Sequence, residues 1–135
     1  HSVGHTDSSL VMHATCDDSS HSVGTGLLTI CEGADGSDAG QVFRNLLLSE
    51  KSRAEAIPEL EVLADDVKAA HGAASAPIDA DQIHYLSSRG LSPDESSALI
   101  VEGFLMDAFR DIKSEEVVSV MRTRLLVHLE CLMNG

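Results

Sequence analysis

The sequence predicts a mixed fold, with short strands in its first part and helices in its second. Three observations carry this expectation. Upstream of Gly72 the apolar residues come in short runs broken by Gly, Ser, Asp and His, whereas downstream they fall into stripes at helical spacing. Between the two lies PELEVLADDVKAAHG at 58–72, which alternates as strands do. Leu60 and Val62 alternate with Glu59 and Glu61, and Val67, Ala69 and His71 alternate with Lys68 and Ala70, so His71 shares a strand face with Val67.

Taken in order, residues 1–9 carry no apolar periodicity, and LVMHA at 10–14 is the first expected strand. Asp17, Asp18, Ser19 and Ser20 form a turn cluster. GLLTI at 26–30 is a second strand, and Gly33, Gly36 and Gly40 mark the turns that follow. QVFRNLLLS at 41–49 fits strand or helix, because Val42, Leu46 and Leu47 also satisfy helical spacing. Leu10, Leu27, Val42 and Leu60 start successive runs, but no short motif recurs with them. A meander, a sandwich fragment and the rungs of a parallel β-solenoid all fit this spacing.

After Gly72, AASAPID reads as a linker of small residues. Asp79 is placed to cap a short helix through Tyr85 and Leu86, with Gly90 as its stop. Ser92-Pro93-Asp94-Glu95 is the sharpest local signal: Ser92 caps, Pro93 suits the first helical position, and Glu95 closes a capping box. In the helix it starts, Ala98, Val101, Leu105, Ala108 and Ile112 form one stripe, and Leu99, Ile100, Gly103 and Phe104 make a second side apolar. Extensive burial is expected of it. A last helix after Ser114 puts Val117, Val118, Met121, Leu125, His128, Leu129 and Leu132 on one face and Arg122, Arg124 and Glu130 on the other.

A chain of 135 residues with 43% hydrophobic residues is able to bury a core. Its net charge of -13, from 22 acidic and 9 basic residues, argues against nucleic acid or anionic lipid as partner and points to a protein or a metal. The longest apolar run is interrupted by Glu102 and Asp107, so no stretch supplies the roughly 20 apolar residues of a membrane span. Cys16, Cys31 and Cys131 form neither an even set nor a CxxC pair, which favours a reducing compartment. The chain starts at His1 without initiator methionine, basic region or signal-like core, so the natural N-terminus and any targeting segment are expected upstream.

Three segments, VMHATCDDSS, VFRNLLLSEKSRAEAIPELEVLADDVKAAHGA and IHYLSSRGLSPDESSALIVEGF, resemble the C-terminal part of the SufB/SufD family of iron-sulfur cluster assembly proteins, with the SufD side the nearer. Asn45 to Ser49, Pro58, Leu60, Glu61, Val62, Asp65 to Lys68, His71 to Ala73 and Tyr85 to Gly90 carry the likeness. It implies a right-handed parallel β-helix over 1–73, ending near Gly72, and a small α-helical domain over 74–135. It also implies a non-enzymatic scaffold that pairs with a SufB-like subunit through the β-helix and with a SufC-like ATPase through the helices. The unpaired β-helix edge is a ready template for a homodimer when SufB is absent, and the expected compartment is cytoplasm or plastid. The family assembles a transient iron-sulfur cluster at the subunit interface, and its histidine there corresponds to His71. Ala69 stands where the family's motif has a cysteine, which removes the nearest sulfur ligand.

One histidine cannot hold a cluster, since clusters are bound by several Cys thiolates or, less often, His nitrogens. By pattern alone His71 is a structural or partly exposed residue; the resemblance makes it a candidate ligand that acts with ligands from another chain. His13 and Cys16 have HxxC spacing, with His5 and His21 nearby, but no second tight pair completes a zinc set, and on a strand the two face opposite sides. Cys131, beside Leu129 and Leu132, reads as a small buried hydrophobe. Glu61, Asp65 and Asp66 lack a basic or nucleophilic partner and read as a solvated edge. No phosphate-binding GxxxxGK(S/T) loop occurs, so ATP would be hydrolysed by another subunit. The competing readings are a solenoid domain that binds or acts on carbohydrate, which needs a row of carboxylates and aromatics, and a purely structural interaction module.

Overall fold

The computed structural model describes residues 1–133, with side chains through residue 130. Five strands precede three helices: β1 (Asp7–Cys16), β2 (His21–Ile30), β3 (Asp38–Leu47), β4 (Arg53–Val62), β5 (Lys68–Pro77), α1 (Ala80–Ser88), α2 (Pro93–Asp107) and α3 (Glu115–Met133). The fold is therefore mixed β and α. The chain divides into two compact units, His1–Pro77 and Ile78–Gly135.

In the first unit alternate strands pair. One sheet has the order β1-β3-β5 and the other holds β2 and β4, and every pairing is parallel. A meander is excluded, because its neighbours would be consecutive and antiparallel. Parallel strands need a crossover, and here each crossover contains a strand of the other sheet in place of the usual helix. The ambiguous run at 41–49 falls mostly in β3, where Ala39, Gln41, Phe43 and Asn45 alternate as buried residues with exposed Val42 and Arg44.

The corners between strands are built on backbone that favours Gly and Asp. Asp18, Asp66, His5, Gly33 and Gly36 all have positive φ, a conformation that short polar side chains and glycine adopt at least cost. One corner repeats in space. His5 N donates to Asp35 O at 3.0 Å, and Gly36 N to Asp66 O at 3.1 Å. Asp65 N adds a bond to Asp35 Oδ1 at 2.9 Å. The ladder thus continues around the bend, with Asp38 N bonded to Thr6 O and Lys68 N to Ser37 O.

Inside, Ile30, Ala34 and Ala39 form a core against which Leu28, Ala64, Val67 and Ala69 pack. Phe43 is 1% exposed and reaches across to β2. A Cβ on Gly26 would lie 2.6 Å from Phe43 Cζ, so glycine at that position is what admits the ring.

β5 runs through Pro77, past residue 73, so most of the expected linker is strand. Ala73 to Pro77 are in register with Phe43 to Leu47. Backbone pairing to a strand already in place overrides the low strand propensity of an Ala- and Ser-rich stretch.

In the second unit the capping signals are realised. Asp79 caps α1, its side chain accepting from Asp81 N at 2.9 Å, and Gly90 follows the helix with φ of 103°. Ser92 and Glu95 form the reciprocal box that starts α2: Glu95 N donates to Ser92 Oγ at 3.2 Å and Ser92 N to Glu95 Oε2 at 2.8 Å. The expected extensive burial of α2 is not found. Only Ser96 and Val101 are buried, while Leu99 is 47% exposed. Its apolar surface extends around more of the helix than α1 and α3 cover.

On α3, Val118, Leu125 and Leu129 are half-buried, whereas Val117, Met121 and His128 of the expected face are exposed. Arg122, assigned by the sequence to the opposite face, instead holds Glu102 of α2 through Nη2 at 2.7 Å and Nε at 2.8 Å. The side chains of Cys131 and Leu132 lie outside the described residues. No described helix is long and apolar enough to cross a membrane.

Candidate functional site

β5 is an edge strand of its three-stranded sheet, and His71 stands near its middle in register with Gln41 of β3. In parallel pairing, residues in register project to the same face. Gln41 is 1% exposed and points inward, so the position of His71 shares the inward face of β3. His71 itself is exposed, as no further strand of that sheet covers it. Val67 and Ala69 pack on the core, as the alternation requires, but the row opens to solvent at His71. No hydrogen bond or ion pair engages the imidazole among the described residues.

Gln41 Nε2 donates to Glu59 O of β4 at 2.7 Å, tying the two sheets together, while its Oε1 is buried without a hydrogen-bond partner. Four residues further along β3, Asn45 Nδ2 donates to Ser75 Oγ at 3.1 Å. Gln41 and Asn45 sit in an apolar-looking run, and nothing in the sequence marked them as inward-facing. Once β3 is identified as a strand, their alternation with Val42 and Arg44 is the signal.

Among the described residues no group of three or more His, Cys, Asp or Glu is arranged to hold a metal. Cys16 is buried and Cys31 half-buried, both as free thiols. His13 lies on the same strand as Cys16, three residues away, and so faces the other side. His21 is engaged instead with Glu55, Nε2 to Oε1 at 2.9 Å. Glu61 accepts from Thr29 Oγ1 at 3.4 Å, and Asp65 and Asp66 form a corner, so no acid-base pair is assembled from them. The described residues of this chain alone do not fit a complete cluster site.

The aromatics make no row along a strand face. Phe43 is buried, Phe104 and Phe109 are half-buried, and exposed Tyr85 on α1 lies under Arg89, whose Cζ is 5.2 Å from the ring centroid. In the helical unit, Met106, Phe109, Ile112 and Val118 line an open apolar groove of about 440 Å³ beside Arg110 and Arg122.

Comparison with known proteins gives this arrangement a context. The family described as "SUF system FeS cluster assembly, SufBD core domain" matches residues 1–104. The iron-sulfur cluster assembly protein SufD of Bacillus subtilis is 35% identical over 120 residues, covering 86% of this chain and 28% of the relative. SufD of Escherichia coli is 33% identical over 114 residues, covering 82% and 27%. A SufBD family protein of Pyrococcus horikoshii is 42% identical over 77 residues, covering 57% and 17%. The chain thus spans little more than a quarter of the SufD proteins it matches. With a match over most of its length, the chain belongs to the SufB/SufD family of the SUF iron-sulfur cluster assembly system and is SufD-like.

Proposed function

We propose that this chain is the C-terminal part of a non-catalytic scaffold subunit in a SufBCD-type assembly complex, and that His71 is its contribution to a cluster shared across the interface with a SufB-like subunit. The observation that carries this reading is an exposed imidazole on an edge strand, in register with buried Gln41 and with no hydrogen bond or ion pair among the described residues. An imidazole nitrogen held there is available to a metal without breaking any existing bond. With Ala69 in place of a cysteine and no other ligand assembled around His71 among the described residues, the remaining ligands come from the partner, which leaves the cluster transient and releasable.

The strand arrangement supports winding as the last rungs of a right-handed parallel β-helix: Asp7, Asp38 and Lys68 stack in register, as do His21 and Arg53 on the other sheet. The free edge of β5 offers backbone donors and acceptors to a strand of the SufB-like subunit or, in its absence, of a second copy. The apolar groove of the helical unit offers a surface to the SufC-like ATPase.

The test is anaerobic reconstitution of the full-length protein carrying His71→Ala with its SufB-like and SufC-like partners, followed by iron and sulfide analysis. Cluster content on the complex is expected to fall, with complex formation and circular dichroism unchanged. Wild-type cluster content in the variant would remove His71 from the site.

A further inference from the structure

The outer face of the β2/β4 sheet carries a feature that the cluster reading does not use. Its outward residues are His21, Val23, Thr25, Leu27 and Thr29 on β2, in register with Arg53, Glu55, Ile57, Glu59 and Glu61 on β4. Val23 is 54% exposed, Leu27 64% and Ile57 42%. Ile57 is opposite Thr25 and so diagonal to both Val23 and Leu27, within reach of branched side chains. The three form one apolar patch.

Carboxylates frame it. Glu55 is opposite Val23 and is engaged by His21, while Glu59 is opposite Leu27 and Glu61 is two residues further along the same face. Among the described residues the Glu59 side chain makes no hydrogen bond or ion pair, and Glu61 has only the hydroxyl of Thr29. The cationic residue of the face, Arg53, stands at the opposite end of β4. The face is therefore apolar in the middle and acidic at one end, while at the other end Arg53 balances Glu55.

We propose that this face docks a segment of a protein partner that presents apolar side chains to Val23, Leu27 and Ile57, with Lys or Arg over Glu59 and Glu61. The acidic end specifies both the sign and the direction of the occupant. Anionic lipid and nucleic acid are disfavoured by the same carboxylates that attract the basic end. From Arg53 to Glu61 the strand runs roughly 26 Å at about 3.3 Å per residue, a length matched by a helix of about 17 residues. The surface is separate from the edge of β5 and from His71, so it stands whether or not the cluster assignment does.

The test uses the full-length protein and two synthetic peptides with the same leucine face, one bearing lysines at one end and glutamates at the other, the second bearing glutamates throughout in place of the lysines. Fluorescence anisotropy at low salt is expected to show the lysine peptide bound at least about tenfold more tightly, with the preference fading as salt screens it. E59K/E61K should reverse the preference and the isosteric E59Q/E61Q should abolish it, each with an unchanged circular dichroism spectrum. E115K/E116K on α3 alters net charge as much as E59K/E61K does but should leave the preference intact. The proposal is overturned if wild type shows no preference, or if E115K/E116K loses as much as E59K/E61K, which would mean general attraction to an acidic protein.

Discussion

At the scale of single residues, Gln41 ties the two sheets together at the position in register with His71. It is 1% exposed, donates to Glu59 O at 2.7 Å, and leaves Oε1 buried without a partner. Gln41→Glu would remove the donor and bury an ionisable carboxyl beside a carbonyl, so unfolding in urea at pH 7 should show a loss of about 2–4 kcal/mol. Gln41→Leu loses one hydrogen bond but also the unsatisfied carbonyl, and should stay within about 1.5 kcal/mol of wild type. A larger loss from Leu than from Glu would contradict this account of Gln41. Phe43→Ala should cost about 3–5 kcal/mol, because the ring is fully buried and its cavity opens against a glycine that cannot fill it. Polar alternation correctly put His71 on the face of Val67, but its exposure depends on β5 being an edge, a property of the sheet and not of the residue.

At the scale of elements, the helix starts were the most legible parts of the chain because their chemistry is local. Ser92, Pro93 and Glu95 satisfy one another's backbone within a single turn. Ser92→Ala should lower stability by about 1 kcal/mol in thermal or urea melts. Bonds from the Ser92 backbone and then its hydroxyl hold the Glu95 carboxyl below the usual glutamate range. A carboxyl whose folded pKa lies below its unfolded pKa contributes stability above the unfolded value, and loses it as pH falls through the folded one. The start of α2 should therefore loosen below about pH 4, and comparing Glu95→Gln with wild type across that range would show a difference at neutral pH that closes in acid. The strand corners were less legible. Their shared feature is positive φ at His5, Gly36 and Asp66, three residue types with no letter in common. Asp66→Gly should be neutral or slightly stabilising, whereas Asp66→Val should cost about 1–2 kcal/mol, since a branched side chain is strained at φ of 51°.

At the scale of the whole molecule, the charge of -13 sets a background repulsion. Raising ionic strength from about 0.01 to about 0.15 M shortens the screening length from about 30 to about 8 Å, and Tm is expected to rise over that interval. A fall would mean that attractive pairs such as Arg122 with Glu102 outweigh the repulsion. The overestimate of α2 burial also belongs to this scale. Its residues are apolar on two sides, but whether an apolar side is covered depends on what the unit places against it: Leu99 remains exposed, and Ile112, expected on the helix's stripe, lies exposed beyond its end at Asp107.

The sequence by itself determined that strands give way to helices, the caps of α1 and α2, the alternation that placed His71, and the family, because each is carried by residues near one another in the chain. Only the tertiary structure decided that the strands pair with alternate neighbours in parallel, that β5 extends through Pro77, that Gln41 and Asn45 face inward beneath its edge, and that Arg122 turns toward Glu102. The reason is physical: a strand's partners and the exposed edge of a sheet are fixed by backbone groups distant in sequence, and local side-chain pattern carries no record of which strand will supply them.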